Sequence, residues 1–282
     1  MKLAEPRLAP QPTADPDAPH YLYCILRGDE PLSFDTRGMG ERGDAVVSVP
    51  VDGLAAVVSA SPALEYDNTR RNMMAHMRVL DEVMQSGHTI LPIRFSSVAP
   101  SLDAVREQLL ADRRRELMTL LDEIDGRIEM GLKAFWYQDI VLQEVLAENA
   151  AIRRLRDALA GQSVEQSYYE RVRLGRMLED ELQARRDRDA ETILSRLRPL
   201  AEKVRTNDTV TDNMVLNAAF LVVREASKAF DGAIEELDAA LGGRFLFKCV
   251  GPVAPYNFVS ITLTWRAPAK ERPTAGGARG RR

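Results

Sequence analysis

The chain has 282 residues, a formal net charge of −4 at pH 7 and 45% hydrophobic residues, so it is long enough for two domains with their own cores. Residues 20–265 carry a net charge of −8, which argues against a nucleic-acid-binding core, because such a core needs a basic face. No segment is apolar over the length of a membrane span, and we therefore expect a soluble, cytoplasmic protein.

The first half of the chain predicts an arm followed by an α+β domain. Residues 1–19 hold five prolines among polar residues and are expected to be disordered. The N-terminal domain is placed at 20–123 as a mixed sheet with helices. Its predicted elements are strands at 21–26, 45–49 and 54–59, a loop over 28–44, a helix over 69–86, a strand over 88–95 and a helix over 101–121.

The second half predicts a domain at 124–265 that begins with the alternating strand Ile128–Trp136. Helices over 139–160 and 164–197, strands over 204–211 and 214–223, a helix over 225–241 and a strand over 244–250 follow. This order, with its long helical hairpin, predicts a ferredoxin-like domain with an enlarged first crossover. The fold class is therefore α+β with two domains, and residues 266–282 are expected to be a disordered basic tail.

The long helix over 164–197 has only a narrow apolar stripe, which includes Tyr168, Val172, Leu178 and Leu182. A helix with so thin a stripe buries little surface. It is expected either to project from the body or to pair with the helix before it.

The sequence lacks a recognisable catalytic, cofactor or metal motif. His20, His76 and His88 are not at ligand spacing, and neither a phosphate-binding glycine loop nor a nucleophile elbow is present. Cys24 and Cys249 both fall in predicted apolar strands, where a thiol is a small, buried, unreactive side chain, as suits a reducing compartment. We expect no enzymatic activity, no cofactor and no metal.

The run from Gly251 to Val259 is rigid and aromatic and follows the last predicted strand. Its two prolines fix their own φ angles and favour extended geometry before them. On an extended backbone, Tyr256 and Phe258 would lean toward one face. They would then either close the core or form a docking edge.

A second candidate functional stretch runs from Leu91 to Val98, and in it Arg94 and Phe95 lie at the end of a predicted apolar strand. A guanidinium there needs a partner, since an unpaired buried charge is costly. The partner would be an internal carboxylate, with Glu129 as a speculative choice, or a carboxylate or carbonyl of another protein. We take Arg94, Phe95, Tyr256 and Phe258 as candidate partner-binding residues.

Several stretches, taken in order over residues 20–264, resemble the gas vesicle accessory family GvpL/GvpF. The closing run Gly-Pro-x-x-Pro-Tyr-x-Phe-Val at 251–259 is the most specific of them. The others are Tyr21-Leu22-Tyr23, residues 53–59, His76 with the helix after it, Leu91-Pro92-Ile93-Arg94-Phe95, residues 126–133 around Glu129, residues 168–176 and residues 217–222. The chain has Ser96-Ser97 where the family commonly has Gly-Thr, and Val253-Ala254 where it often has an aromatic residue and a proline.

The resemblance implies a non-enzymatic factor for gas vesicle formation, associated with the vesicles. It would bind the small, hydrophobic shell protein and other gas vesicle accessory proteins, as a chaperone-like or nucleating scaffold, and self-association stays open. Two other classes of function stay open as well. One is a small-molecule-binding regulatory module on the ferredoxin-like domain. The other is an enzyme in which Arg94, Glu129 and His76 meet at the domain junction.

Overall fold

The computed structural model describes residues 7–8, 15–40 and 42–266. It is a mixed α+β protein with two β-sheets and six α-helices in the described residues. The chain divides into two compact units: Met1–Glu82, Ile93–Met118 and Ile261–Arg282 form one, and Val83–Pro92 with Thr119–Ser260 form the other. The expected α+β class is therefore confirmed.

The first sheet has seven strands in the order β1-β3-β4-β5-β2-β6, with β7 also paired to β2. Its strands are β1 (Arg7–Leu8), β2 (His20–Arg27), β3 (Leu32–Arg37), β4 (Ala45–Val51), β5 (Leu54–Ala60), β6 (Ile90–Pro92) and β7 (Val98–Ala99). The central antiparallel pair, β2 with β5, is buried over nearly its whole length. Continuous apolar runs are typical of strands that are buried on both faces, and the runs in β2 and β5 therefore predicted these two strands.

Strand β3 corrects the loop expected over 28–44. Only Phe34 of this strand is buried, so its sequence lacks a clear alternation. Tertiary contacts hold it instead: the Leu32 N–H donates to Ser48 Oγ at 2.7 Å, and the Glu82 carboxylate accepts from the N–H groups of Asp35 and Thr36 at 2.7 and 2.8 Å. The strand is therefore determined by neighbours distant in sequence.

The helix over 69–86 is confirmed as α1 (Arg70–Gln85). Thr69 Oγ1 accepts from the Asn72 N–H at 3.2 Å at its start, and Gly87 follows its end with φ +90°. The single helix expected over 101–121 is wrong in detail. A π-helical segment, Ala104–Ala111, comes first, and α2 (Arg114–Ile124) follows it.

The second sheet has the order β11-β8-β10-β9. Its strands are β8 (Arg127–Trp136), β9 (Lys203–Thr206), β10 (Met214–Val223) and β11 (Phe245–Val253), and all three pairings are antiparallel. Alternate residues of β8, from Ile128 to Trp136, point into one core with Phe220 and Phe230. The order of elements is the one that the sequence predicted, whereas the ferredoxin-like assignment stays a prediction.

Four helices belong to this second unit: α3 (Gln138–Glu148), α4 (Ala150–Leu159), α5 (Tyr168–Leu197) and α6 (Ser227–Leu241). The continuous helix expected over 139–160 is broken at Asn149, whose side chain accepts from the N–H groups of Ala151 and Ile152, both at 3.2 Å. This asparagine is an N-cap, a signal that the sequence already contained.

Helix α5 pairs with the helices before it. Arg185 is buried and donates to the carboxylates of Glu144, at 2.8 Å, and Glu148 on α3. At its other end Ile193, Leu194 and Leu197 join the core. Of the two arrangements left open for this helix, the structure shows the paired one.

The two units differ from the contiguous ranges 20–123 and 124–265 expected from the sequence, because residues 83–92 group with the second unit and residues from Ile261 onward with the first. In the arm expected to be disordered, β1 pairs with β3, and Pro16 and Pro19 accept backbone hydrogen bonds from Leu102 and Ser61, both at 2.9 Å. The rest of that arm before Asp15, and the tail after Arg266, lie outside the described residues.

Candidate partner-binding surfaces

The run from Gly251 to Val259 is a strand end followed by a turn. Strand β11 ends at Val253, and the Pro255 carbonyl accepts from the N–H groups of Phe258 and Val259, both at 3.0 Å. The expectation of a continuous extended backbone is therefore wrong, because a tight turn satisfies these backbone groups locally. Tyr256 is 36% exposed and Phe258 is half-buried, so the two rings are not equivalent.

Asn257, between those two rings, binds the carboxylate of Glu129 with its main chain and its side chain. Its backbone N–H donates at 2.8 Å and its Nδ2 at 2.6 Å. Its own carbonyl accepts from Arg205 at 2.9 Å, and its Oδ1 accepts from Asn207 at 3.1 Å. Asn257 therefore fixes the turn to β8 and β9. The sequence analysis missed it, since a lone asparagine gives no signal of a distant partner.

Glu129 is buried, and its carboxylate is bound by Asn257 rather than by Arg94. The speculative Arg94–Glu129 pair is therefore wrong. Burial raises the pKa of Glu129, and the two hydrogen bonds from Asn257 and the charge of Arg205 offset part of this rise. The side chain thus holds a proton more readily than an exposed glutamate.

Gly251 allows β11 to approach β8 closely. Its φ is +142°, and a Cβ at this position would lie 2.9 Å from Met130 Sδ and 3.0 Å from the Glu129 carbonyl oxygen. Both the backbone conformation and the space therefore require glycine. The glycine of the closing run is explained by this contact rather than by a partner.

Arg94 and Phe95 lie beyond the end of β6, which stops at Pro92 instead of reaching residue 95. Arg94 is exposed, and within the described part of the chain no salt bridge is recorded for it. The internal ion pair expected for a buried guanidinium is therefore wrong, because the guanidinium is not buried. Phe95 is half-buried and lies in a turn with Ser96, whose φ is +64°.

A buried polar network holds this turn in place. Tyr21 Oη accepts from the Ser96 N–H at 2.9 Å and lies 3.0 Å from His76 Nδ1, while Ser96 Oγ accepts from the Tyr66 N–H at 2.8 Å. The His76 ring is also 6.0 Å from the Phe95 ring, centroid to centroid. The network presents Arg94 at the surface on a defined backbone.

His76 is a structural residue of this network. It is 1% exposed, and burial lowers its pKa to about 4, although a hydrogen bond with the Ile93 backbone acts in the opposite direction. Because His76 binds Tyr21 and Glu129 binds Asn257, both groups already have partners. The enzyme hypothesis gains no support from them.

A groove of about 550 Å³ lies between α3 and α5 in the second unit. Its apolar lining is Trp136, Val141, Leu142, Leu178 and Leu182. The sequence analysis named Leu178 and Leu182 as parts of a helical stripe, but it could not show that Trp136 and Leu142 complete a groove with them. Near the start of α5, before these groove residues, Tyr169 is 84% exposed.

A shallow polar depression of about 340 Å³ in the second unit is lined by ion-paired side chains. One oxygen of Glu144 accepts from both Arg185 and Arg244, each at 2.8 Å, and Asp189 also binds Arg244 at 2.8 Å. These charges are satisfied by each other, so the depression gives the regulatory-module hypothesis no specific support.

The two cysteines differ. Cys24 is fully buried, and burial raises the pKa of its thiol. Cys249 is exposed on β11, so the expectation that both thiols are buried is wrong for this one. Within the described ranges, no group of three or more His, Cys, Asp or Glu residues is placed to bind a metal. No helix in the same part of the chain is long and apolar enough to cross a bilayer.

Comparisons with known proteins agree on one family. The family model for gas vesicle synthesis protein GvpL/GvpF matches residues 19–260. Gas vesicle protein F of Nostoc sp. (strain PCC 7120 / SAG 25.82 / UTEX 2576) is 30% identical over 243 residues, which cover 86% of this chain and 98% of the relative. Gas vesicle protein F of Streptomyces sp. (strain CB03234) is 32% identical over 242 residues, covering 85% of this chain and 98% of the relative.

The fold agrees as well. The crystal structure of the gas vesicle protein GvpF from Anabaena sp. PCC7120 matches with a TM-score of 0.75 at 28% identity, covering 87% of this chain and 100% of that one. The resemblance found in the sequence is thus confirmed, and it implies a role in gas vesicle formation. The chain belongs to the gas vesicle synthesis protein GvpL/GvpF family.

Proposed function

We propose that this protein is a non-enzymatic assembly factor that binds the hydrophobic gas vesicle shell protein in the cytoplasm, as a chaperone-like or nucleating scaffold. The observation that carries the proposal is the family match over residues 19–260. A shell subunit with exposed apolar surface aggregates unless another protein covers that surface. The assembly factor would cover it until polymerisation and associate with the growing vesicle.

The groove between α3 and α5 supports this proposal, since it offers an apolar lining that another chain's helix can fill. Leu142 is 39% exposed there, and Arg186 lies over the Trp136 ring at 5.6 Å. A hydrophobic helix of the shell protein would bury this leucine above Trp136, which is only 4% exposed and lies at the base of the groove. The groove is therefore our first candidate for the shell-binding surface.

The four residues selected from the sequence are proposed as further partner contacts. Arg94 and Tyr256 are exposed, so another protein can contact both side chains at the surface. Phe95 and Phe258 are half-buried, so each contributes packing as well as contact area. Other gas vesicle accessory proteins are the alternative partners for these residues.

The test is co-expression with the shell protein, followed by measurement of soluble shell protein and of its co-purification. We expect the wild-type chain to keep the shell protein soluble and Leu142→Lys to lose this effect. Ile140→Lys is the matched control, because Ile140 is 38% exposed on the same helix without lining the groove. An insoluble shell protein that never co-purifies with the wild-type chain would refute direct shell binding.

A further inference from the structure

Strand β11 is an end strand of the second sheet, and it pairs with β8 on one side only. In the described part of the chain, no strand lies on its other side. The stretch from Phe245 to Val250 is in regular register with β8, and Leu246 and Val250 are 41% and 52% exposed. An open edge of this kind is a template for pairing with another chain.

Two lysines lie directly opposite each other on the exposed face of this edge. Lys248 of β11 is the register partner of Lys133 of β8, and both side chains are exposed. No salt bridge is recorded for either lysine among the described residues. Lys248 Nζ instead lies 5.1 Å from the centre of the Phe135 ring. Like charges directly opposite each other destabilise a sheet, and a carboxylate close to their ammonium groups would relieve this repulsion.

We propose that the free edge of β11 accepts an extended, acidic segment of another protein as an added strand. Backbone hydrogen bonds to Phe245–Val250 would supply affinity, and carboxylates on alternate residues would lie beside Lys248, with Lys133 one strand further in on the same face. The apolar neighbours Leu246, Phe135 and Val250 share this face with the lysines, so apolar atoms of the segment would pack there too.

The opposite face of the edge restricts which acidic segments fit. Cys249 lies on the same face of the sheet as its register partner Leu132. Partial burial of its thiol, with a smaller contribution from the charges of Asp231 and Asp238 on α6, raises its pKa. These carboxylates repel an acidic residue on that side. The bound segment therefore alternates, with acidic residues on one face only.

A second copy of this chain is disfavoured as the occupant. Pairing β11 with β11 of another molecule would bring a second Lys248 to an edge that already carries Lys248 and Lys133. Lysines on edge strands discourage such self-pairing. The same charges that repel a copy attract a carboxylate, so the partner is a different protein. This inference goes beyond the proposed function and does not depend on the groove between α3 and α5.

The first experiment measures fluorescence anisotropy of a labelled peptide of alternating Glu and Val added to the full chain. We expect binding of this peptide and none of the matching Lys and Val peptide. Lys248→Glu should weaken binding by about tenfold or more, since it reverses a charge that faces a carboxylate, and Lys133→Glu should weaken it less, since Lys133 lies one strand further away. Lys228→Glu is the control, because it makes the same change of charge at an exposed position on α6. Equal weakening by all three variants would overturn the proposal.

A second measurement separates strand addition from attraction by charge alone. In an added strand, alternate residues direct their N–H groups to the neighbouring strand. Two peptides are therefore N-methylated, one at every Glu and one at every Val. We expect one of them to lose binding and the other to keep it. If both bind as well as the parent peptide, the segment does not pair with β11, and the proposal fails.

Discussion

At the scale of single residues, Asn257 shows how one side chain fixes a turn. Its two hydrogen bonds to Glu129 join residues that are 128 positions apart in the chain. Glu129 is 5% exposed, so water replaces these bonds only in part when Asn257 is removed. The aromatic neighbours Tyr256 and Phe258 attract attention in the sequence, but the asparagine between them makes the structural contact.

Glu129 gives a prediction about pH. Its pKa in the folded protein is raised above the ordinary value of 4.5, so its protonated form favours the folded state. That contribution is complete below pH 4.5 and is lost as the pH rises through the raised pKa. The free energy of unfolding of the wild type should therefore fall relative to Glu129→Gln across this window, as measured by urea unfolding at a series of pH values.

The variant Asn257→Ala supplies the check on this explanation. This substitution removes the side-chain hydrogen bond from Nδ2 and keeps the backbone one, so the pKa of Glu129 rises further and the window extends to higher pH. The variant should also lose about 1–3 kcal/mol of stability, because it leaves a buried acceptor unsatisfied. A difference between wild type and Glu129→Gln that does not change with pH would contradict both statements.

At the scale of elements, helix α5 is long and contains Gly175 in its interior. A glycine there weakens a helix because it has more backbone freedom to lose on folding. The helix gains support from pairs such as Arg188 with Glu181 and from its buried end at Ile193–Leu197. Its first half, which carries the exposed Tyr168 and Tyr169, has fewer such contacts.

Gly175→Ala should raise the free energy of unfolding by up to about 1 kcal/mol. Apart from the neighbouring residues and the backbone of the helix itself, no atom lies within 4 Å of the added Cβ, so the gain in helix propensity is not offset by a clash. Gly126→Ala is the matched control: its Cβ would be equally free, but its φ of +69° strains any other residue, so this variant should be destabilised. Thermal unfolding measures both, and a shift of the same sign in both would refute the argument.

At the scale of the whole molecule, the last described residues, 261–266, do not belong to the unit that contains β11. They belong to the first unit, where Ile261 is 4% exposed and the Thr262 carbonyl accepts from Arg113 at 2.8 Å. Arg266 donates its N–H to Gln108 at 2.8 Å and pairs with Asp112. The first unit is therefore completed by the last described residues.

A truncated chain of residues 1–260 should be less stable than one of residues 1–266. Loss of the buried Ile261 alone removes about 1.5–3 kcal/mol, the usual value for a fully buried aliphatic side chain. Urea unfolding followed by circular dichroism compares the two. Ile261→Ala in the full chain should reproduce most of the loss. Equal midpoints for the two truncated chains would show that the segment does not support the first unit.

Much of the fold could be predicted from local patterns. The apolar runs of β2 and β5, the alternation in β8 and the helical spacing in α1 are properties of neighbouring residues, and the structure keeps all of them. The ordered motifs at 20–264 likewise sufficed for the family. The sequence by itself thus determined the α+β class, most of the elements and the role in gas vesicle formation.

Only the tertiary structure decided the rest, because it depends on which distant residues meet. Strand β3 forms through Glu82 and Ser48, and the closing turn is fixed by Glu129, while Lys248 and Lys133 become neighbours through the register of β11 with β8. Arg94 is exposed because β6 ends before it. Cys249 is exposed on β11, which is an end strand of its sheet. A local pattern encodes the period of a strand or helix, but it does not encode pairing across the fold.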